Sequence, residues 1–154
     1  SMSDHAVGDL ASPASTVARL IAAEAAERNI KIVTDFAPDT PPVAFDEDRI
    51  RQVVFNLVRN AIEAIDRDGT VTIRTRPSEG HAELQIEDDG PGIDGDPNRI
   101  FHAFFTTKSS GTGLGLTIAQ RIAADHGGEL RVRSAPGETV FTLALPAARE
   151  PGDS

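Results

Sequence analysis

Two asparagines lie four residues apart in a segment whose pattern otherwise predicts a helix with one buried face. At about 100° per residue, Asn56, Asn60 and Glu63 share a polar stripe with Gln52 and Arg59. The opposite side of this helix is apolar and is formed by Ile50, Val53, Val54, Leu57, Ala61 and Ile65. Asparagine in mid-helix costs roughly 0.6 kcal/mol relative to alanine, so helix stability does not favour it. A bound ligand would explain the two amides, and a solvated polar face is the alternative.

A carboxylate before a glycine-flanked turn forms the second candidate site. A predicted strand ends in Ile86-Glu87-Asp88, and the turn Asp89-Gly90-Pro91-Gly92-Ile93 follows it. The carboxylate of Asp88 can accept a hydrogen bond from an exocyclic amine, and Gly92 lets a flat ring approach the backbone. A turn that serves only the fold is the alternative for this motif.

Aromatic residues and a lysine form the third cluster, which reads Phe101-His102-Ala103-Phe104-Phe105-Thr106-Thr107-Lys108. Three of the seven phenylalanines of the chain lie here, within a long segment that shows little periodicity. Segments of this length inside a domain are usually functional or disordered. We interpret the cluster as a hinged lid that packs on an apolar base and carries Lys108 towards phosphate. A loop that is merely anchored by its aromatic side chains is the alternative.

The fourth cluster is a glycine turn that leads directly into a predicted helix, Gly111-Thr112-Gly113-Leu114-Gly115-Leu116. Free backbone N–H groups and the helix dipole make such a start a site for phosphate. The spacing G-x-G-x-G and its late position in the chain do not fit a dinucleotide fingerprint, and the G-K-[ST] of a P-loop is missing. A flexible turn is the alternative.

Composition limits the partners of this chain. It has 154 residues, which suits a single domain, and its net charge of −9 argues against a general nucleic-acid surface. An anionic small ligand remains compatible with this charge if a metal ion accompanies it. With no cysteine and no long apolar run, the sequence suggests neither disulfides nor a membrane span, and we expect a cytoplasmic location.

Periodicity predicts a two-layer α/β fold of the α+β sandwich type, with helices on one face of a mixed sheet. We predict helices over 16–28, 47–66 and 114–126, with Asn29 and Asp46 as caps and Asp68-Gly69 as the stop of the second helix. Predicted strands cover 30–36, 43–45, 70–76, 81–87, 129–134 and 139–145. Residues 1–14 read as a cloning remnant and flexible tail, residues 15–147 as one domain, and residues 148–154 as a second tail.

The four clusters in this order closely resemble the ATP-binding catalytic domain of two-component sensor histidine kinases, a branch of the GHKL ATPase superfamily. The resemblance runs from about Val17 to Pro146 and includes His126-Gly127-Gly128-Glu129-Leu130 and Pro136-Gly137-Glu138-Thr139. It implies a Bergerat-type ATP-binding fold with a lid over 94–112. The segments N-A-x-E-A and F-F-T-T-K favour the nitrogen- and oxygen-responsive kinases within this family.

The resemblance also implies roles for individual residues. Asp88 would bind the adenine amine, and Thr139 would support it through water. Asn60 would hold Mg²⁺ against the phosphates of ATP, with Asn56 near the γ-phosphate as a second candidate ligand. Asn56 and Lys108 are the predicted catalytic residues. The predicted nucleotide-binding residues besides Asn60, Asp88 and Thr139 are Gly90, Gly92, Ile93, Phe105, Thr106, Thr107, Gly111, Thr112, Gly113, Leu114, Gly115 and Leu116.

Two departures from the family pattern qualify these roles. Glu63 stands where many sensor kinases carry a basic residue, which puts direct phosphate contact at this position in doubt. Asn56 stands where hydrolytic relatives carry a glutamate that activates water, and an amide cannot act as a base at neutral pH. Transfer of phosphate to a protein is therefore favoured over hydrolysis.

None of the four histidines has the context of a phosphate-accepting residue. We interpret His5 as tail, His81 as a strand surface residue, His102 as part of the lid and His126 as a helix-end residue that suits the helix dipole.

The acceptor histidine is accordingly expected on a separate dimerisation and phosphotransfer domain, so that this fragment would not autophosphorylate alone. A response regulator would be the downstream partner, the isolated domain would be monomeric, and the parent protein could be membrane-anchored. An anti-sigma-type serine kinase or binding protein of the same superfamily is the alternative function.

Overall fold

A five-stranded mixed sheet carries three helices on one of its faces. The computed structural model describes residues 5–93, 95–97 and 112–148, with the backbone alone at 112–114. The helices are α1 (Ala11–Glu27), α2 (Glu47–Ile65) and α3 (Thr112–Asp125). The strands are β1 (Val7–Gly8), β2 (Ile30–Phe36), β3 (Val43–Ala44), β4 (Gly69–Ser78), β5 (His81–Asp88), β6 (Glu129–Ala135) and β7 (Glu138–Pro146).

The strand order in the sheet is β2-β4-β5-β7-β6. Strands β2 and β4 are parallel, and every other neighbouring pair in this sheet is antiparallel. Alternate residues of the strands point into one core together with the apolar faces of all three helices. The strand residues of this core include Val71, Ile73, Leu84, Ile86, Leu130, Phe141, Leu143 and Leu145. The predicted fold class is confirmed.

The cap and the apolar face of α2 determine where this helix begins and which side packs against the sheet. The side chain of Asp46 accepts a hydrogen bond from the backbone N–H of Arg49 at 3.2 Å, so the predicted N-cap is confirmed. The buried face of the helix contains Val53, Val54 and Leu57, each 0% exposed. The helix ends at Ile65 with Asp66 at φ 70°, and Gly69 already belongs to β4. The predicted helix end at about Asp66 is thus correct to within one residue, but Asp66, with its positive φ, ends the helix and Asp68-Gly69 does not.

The remaining boundaries agree closely with the sequence. Strand β2 has the predicted bounds, and the ends of β4 to β7 lie within two residues of the prediction. Asn29 follows α1 at φ 56°, as its capping role requires. Helix α3 begins at Thr112, two residues before the prediction.

The N-terminal segment is not a loose tail. Strand β1 pairs with β3, and α1 begins at Ala11, five residues before the predicted start. Leu10 is 0% exposed, and the carboxylate of Asp9 accepts a hydrogen bond from the N–H of Ala11 at 2.9 Å. Pro13 suggested a loop, but proline fits the first turn of a helix because its missing N–H needs no partner there.

His126 joins the end of α3 to the start of α2. It is 2% exposed; its Nδ1 lies 2.8 Å from the carbonyl of Ile122, and its Nε2 lies 3.1 Å from the backbone nitrogen of Asp46. The ring of His5 stacks on it with centroids 4.7 Å apart. Burial lowers the pKa of His126, so the ring is a neutral link between two helices. His126 lies at the helix end as predicted, but a neutral ring does not bring the positive charge that suits the dipole. The interpretation of His5 as tail is wrong.

Within the described part of the chain, no helix is long and apolar enough to cross a membrane.

The buried N-terminal segment leads to a stability prediction. Leu10→Ala should lower the free energy of unfolding by about 2 to 5 kcal/mol, because it removes a fully buried side chain and leaves a cavity. Leu20→Ala is the control, since Leu20 lies on α1 but is 66% exposed and should change stability by about 0.5 kcal/mol or less. Urea denaturation followed by far-ultraviolet circular dichroism would measure both. Equal effects of the two substitutions would contradict the burial of Leu10.

Candidate functional site

Three polar residues lie side by side at one end of the sheet. Asp88 ends β5 and is in register with Thr139 of β7, which is in register with Ser134 of β6. All three occupy the face of the sheet that carries the helices, in line with the core residues of the same strands. Antiparallel pairing therefore brings together residues that are up to 51 positions apart in the chain.

Asp88 is a buried carboxylate that lacks a cation partner in the described part of the chain. It is 4% exposed, and the N–H of Gly90 donates to its Oδ1 at 2.9 Å. Burial raises the pKa of Asp88 to about 6, and the charges of Asp89 and Glu87 add to this effect. The Gly90 hydrogen bond opposes it.

Glu83, also on β5, is a buried carboxylate that forms ion pairs, and it serves as a comparison for Asp88. Its carboxylate lies 2.8 Å from Arg76 and 2.9 Å from Arg131 on the other face of the sheet. Burial by itself would raise the pKa of Glu83, but the two guanidinium groups outweigh it and hold the pKa below its ordinary value. Asp88 has no such compensation among the described residues, which is typical of a carboxylate kept for a ligand.

The turn after Asp88 is held against two neighbouring elements. A Cβ on Gly90 would lie 3.4 Å from the backbone nitrogen of Ile65, so this glycine packs on the last turn of α2. Gly92 has φ 93°, and a Cβ there would lie 2.6 Å from the carbonyl oxygen of Ala135. The N–H of Ile93 donates to Ser134 Oγ at 2.9 Å. Glycine is thus required at position 92 by its positive φ and by the close approach to β6, and the turn forms a backbone surface beside Asp88.

The two asparagines of α2 differ in their surroundings. Asn56 Nδ2 lies 3.5 Å from the carbonyl oxygen of Gly115, which places Asn56 against the first turns of α3. Asn60 Nδ2 is buried without a hydrogen-bond partner in the described part of the chain. Rotating this amide by 180° exchanges its oxygen and nitrogen, so the same unpartnered position can offer a ligand oxygen.

The geometry of α2 links the two ends of the site. Gly115 packs beside Asn56, and Gly90 packs beside Ile65. At 1.5 Å rise per residue, Asn60 lies about 6 Å along the helix from Asn56 and about 7.5 Å from Ile65. The unpartnered amide is therefore midway between the start of α3 and the turn that follows Asp88. A ligand that spans this length would meet a carboxylate at one end and a helix N-terminus at the other.

The residues of this site fit a hard metal ion that also takes ligands from water and from a bound phosphate compound. Amide oxygens suit Mg²⁺, which usually retains waters and substrate phosphates as ligands. The described residues contain no group of three or more histidine, cysteine or acidic side chains that could hold a metal by themselves. Asn60, with its unpartnered amide, fits a single protein ligand to a metal that arrives with a phosphate compound.

The structure locates only part of the predicted site. It brings together Asp88, Gly90, Gly92, Ile93 and Thr139 at the sheet end, and Asn56, Asn60, Gly115 and Leu116 along α2 and α3. Thr112, Gly113 and Leu114 lie at the start of α3, where the backbone alone is described. Phe105, Thr106, Thr107, Lys108 and Gly111 lie outside the described residues. Glu63 is half-buried on α2.

Sequence reasoning missed Ser134. Its hydroxyl lies 2.8 Å from that of Thr139 and also accepts the hydrogen bond from Ile93. Its contact to Ile93 joins residues 41 positions apart, so no local motif marks it. The only available signal was its polar side chain on the core-facing side of a predicted strand, where apolar Leu130 and Val132 precede it.

Comparison with known proteins agrees with this geometry. A family model of histidine kinase-, DNA gyrase B-, and HSP90-like ATPases matches residues 45–149. The sensory histidine kinase/phosphatase NtrB of Rhodobacter capsulatus is 42% identical over 131 residues, which cover 76% of this chain and 37% of NtrB. The chain spans less than half the length of the curated relatives it matches.

Solved structures show the same domain. The nucleotide-free catalytic domain of the histidine kinase ThkA is 32% identical with a TM-score of 0.84, over 93% of this chain and 95% of that one. ThkA in complex with the response regulator protein TrrA matches with a TM-score of 0.79 at 28% identity, over 94% of this chain and 42% of that one. The chain therefore belongs to the family of histidine kinase-, DNA gyrase B-, and HSP90-like ATPases, within which it is an ATP-binding catalytic domain of the sensor histidine kinase type.

Proposed function

We propose that this domain binds Mg-ATP across α2 and transfers the γ-phosphoryl group to a histidine on a separate dimerisation and phosphoacceptor domain of the parent kinase. The observation that carries the proposal is the unpartnered amide of Asn60, midway between the Asp88 turn and the start of α3. Adenine at one end and phosphates at the other would span this distance. The family model of an ATPase supports the choice of nucleotide.

The adenine end would be formed by the sheet. Asp88 would accept a hydrogen bond from the exocyclic amine, with Thr139 supporting it through water. The flat backbone of the turn at Gly90, Gly92 and Ile93 would lie against the ring. A buried carboxylate without a cation partner among the described residues is suited to this role, because the amine would supply a second donor beside the N–H of Gly90.

The phosphate end would be formed by α2 and the start of α3. Asn60 would hold Mg²⁺, and Asn56 would lie near the γ-phosphate as a second candidate ligand. When bound, Mg²⁺ neutralises negative charge on the phosphates, which an acidic domain otherwise repels. The lid residues Phe105, Thr106, Thr107 and Lys108 and the glycine turn at Gly111, Thr112, Gly113, Leu114, Gly115 and Leu116 would complete the contacts to phosphate.

The identity of Asn56 favours transfer over hydrolysis. In the transfer, the bond from the γ-phosphorus to the bridging oxygen of ADP breaks and a bond to an imidazole nitrogen forms. Positioning and charge stabilisation supply most of the catalysis of such steps. The amide of Asn56 cannot take a proton from water at neutral pH, so it orients the phosphate without activating a competing nucleophile.

The partners of the parent protein follow from the same assignment. We propose a dimerisation domain with the acceptor histidine and a downstream response regulator, in line with the complex of ThkA and TrrA. We further propose that the isolated domain is monomeric and acts in the cytoplasm, attached to a parent protein that can be membrane-anchored. The anti-sigma alternative is not favoured, because the curated relatives are sensor histidine kinases.

Calorimetric titration tests nucleotide binding at this site. The wild-type domain should bind Mg-ATP, whereas Asp88→Asn and Asn60→Ala should each remove the measurable heat. Asp89→Asn is the matched control, because Asp89 is exposed and an asparagine oxygen can still accept the N–H of Thr70. Repeating the titration with ATP and a chelator separates the two roles, since Asn60→Ala should then match the wild type. Wild-type protein that gives no heat with Mg-ATP would overturn the proposal.

The pH dependence of the free energy of unfolding tests whether the carboxylate of Asp88 serves a ligand or the stability of the fold. Its pKa is raised to about 6 in the folded protein from 3.8, so its stabilising contribution is full below pH 3.8 and is lost as the pH rises through 6. Asp88→Asn does not titrate, and its stability should exceed that of the wild type increasingly between pH 4 and 7, by at most about 3 kcal/mol. Denaturation in urea across this range would measure the difference.

Asp89→Asn should show a much smaller rise with pH, because it removes only the minor contribution of the Asp89 charge to the raised pKa of Asp88. A substitution at Asp88 that destabilises the domain equally at every pH would contradict a functional carboxylate and indicate a structural one.

The choice between transfer and hydrolysis has its own test. Radiolabelled ATP should lose its γ-phosphate slowly with the isolated domain, and faster when the acceptor domain of the parent protein is added, with the label then on histidine. Quantification of free and protein-bound label distinguishes the two routes. Rapid release of inorganic phosphate without an acceptor would show that Asn56 does not prevent hydrolysis.

A further inference from the structure

Ser134 completes the polar row at the end of the sheet, although none of the sequence motifs includes it. It is half-buried at the end of β6, in register with Thr139, which is itself in register with Asp88. Its hydroxyl contacts both the turn after Asp88 and the hydroxyl of Thr139. The inference below rests on the proposed function, since it concerns how the adenine end is held.

Hydrogen-bond accounting limits the Ser134 hydroxyl to two arrangements. A hydroxyl has one hydrogen to donate and two lone pairs. Ser134 Oγ accepts from the N–H of Ile93 at 2.9 Å and lies 2.8 Å from Thr139 Oγ1 and 3.4 Å from the carbonyl oxygen of Glu138. The 2.8 Å separation is normal for O–H···O, whereas 3.4 Å is long. Ser134 therefore either donates to Thr139 Oγ1, or accepts from it while donating to the carbonyl oxygen of Glu138, and both arrangements join its hydroxyl to that of Thr139.

The contact between the two hydroxyls has a consequence for Thr139. If Ser134 donates to Thr139 Oγ1, the hydrogen of Thr139 stays free to point towards a ligand or a bound water. If Thr139 donated instead, its hydrogen would be consumed within the protein. The neighbour on β6 therefore decides whether Thr139 presents a donor to the nucleotide.

The same hydroxyl holds the backbone of the turn. Gly92 passes so close to β6 that a Cβ would lie 2.6 Å from the carbonyl oxygen of Ala135 and 3.3 Å from Ser134 Oγ. Gly90 rests on α2 at the other side of the turn. The hydrogen bond to Ile93 is thus the polar contact that anchors the far end of the turn to the sheet.

We propose that Ser134 is a positioning residue for adenine recognition, which orients the hydroxyl of Thr139 and fixes the turn from Gly90 to Ile93 beside Asp88. Its hydrogen bonds go to the turn and to β7 at the sheet end, and not to the α2 residues proposed to hold the metal and phosphates. Its loss should therefore weaken recognition of the base and leave the contribution of Mg²⁺ intact.

The experiment compares three variants. Ser134→Ala removes the hydroxyl, Ser134→Thr keeps it on a residue that strands favour, and Thr142→Val removes another hydroxyl of the sheet. Thr142 is the matched control, because it is buried on the opposite face, where Gln85 Nε2 donates to its hydroxyl at 3.1 Å. Affinities for Mg-ATP and Mg-GTP would be measured by calorimetry. Hydrogen exchange of the Ile93 amide would be followed by NMR without nucleotide.

Ser134→Ala should weaken Mg-ATP binding about five- to tenfold, the effect of about one net hydrogen bond, and lower the preference for Mg-ATP over Mg-GTP. The Ile93 amide should lose its protection in this variant alone. Ser134→Thr should restore the affinity, the preference and the protection, and Thr142→Val should keep all three.

Two results would overturn the inference. One is wild-type affinity and nucleotide preference in Ser134→Ala. The other is an equal loss in Thr142→Val, which would indicate a general effect of removing a hydroxyl. Failure of the wild type to bind Mg-ATP would instead refute the proposed function and this inference together, so the two failures are distinguishable.

Discussion

Helix α2 must bury one face completely while the other keeps two amides available, and most of the structure depends on this constraint. Its apolar face, with Val53, Val54 and Leu57 fully buried, joins the core that α1, α3 and the sheet share. That packing fixes the rotation of the helix about its axis. Once the rotation is fixed, Asn56 must face α3 and Ile65 must meet the turn after Asp88. The rigid core therefore sets the geometry of the site.

Strand β5 carries two buried carboxylates with different roles, one in ion pairs that stabilise the fold and one available to a ligand. Residues of a strand point alternately to its two faces, and Glu83 and Asp88 lie on opposite ones. The outer face gives Glu83 two guanidinium partners, and the helix-bearing face leaves Asp88 with one backbone donor in the described part of the chain. Burial of the unpaired charge costs stability above its pKa of about 6. Such a cost is expected where a ligand supplies the missing partner.

Much of the fold could be predicted from the sequence because its local signals are strong. Helix α2 shows a clear helical period with a capping aspartate, and β2 alternates regularly, so both were located closely. The N-terminal segment was misjudged because Gly8 and Pro13 are typical of loops. Burial of Leu10 and pairing of β1 with β3 depend on contacts with residues more than thirty positions away, which no local pattern reveals.

The sequence by itself determined the residue types that could bind a nucleotide, their order along the chain and the resemblance to histidine kinases. Only the tertiary structure decided which of them meet. The register of β5, β7 and β6 aligns Asp88, Thr139 and Ser134, and the packing of α2 leaves Asn60 Nδ2 buried without a partner among the described residues. It also made His126 a neutral link between α2 and α3. The physical reason is that hydrogen-bond partners and desolvation are properties of neighbours in space, which the chain acquires only when its core closes.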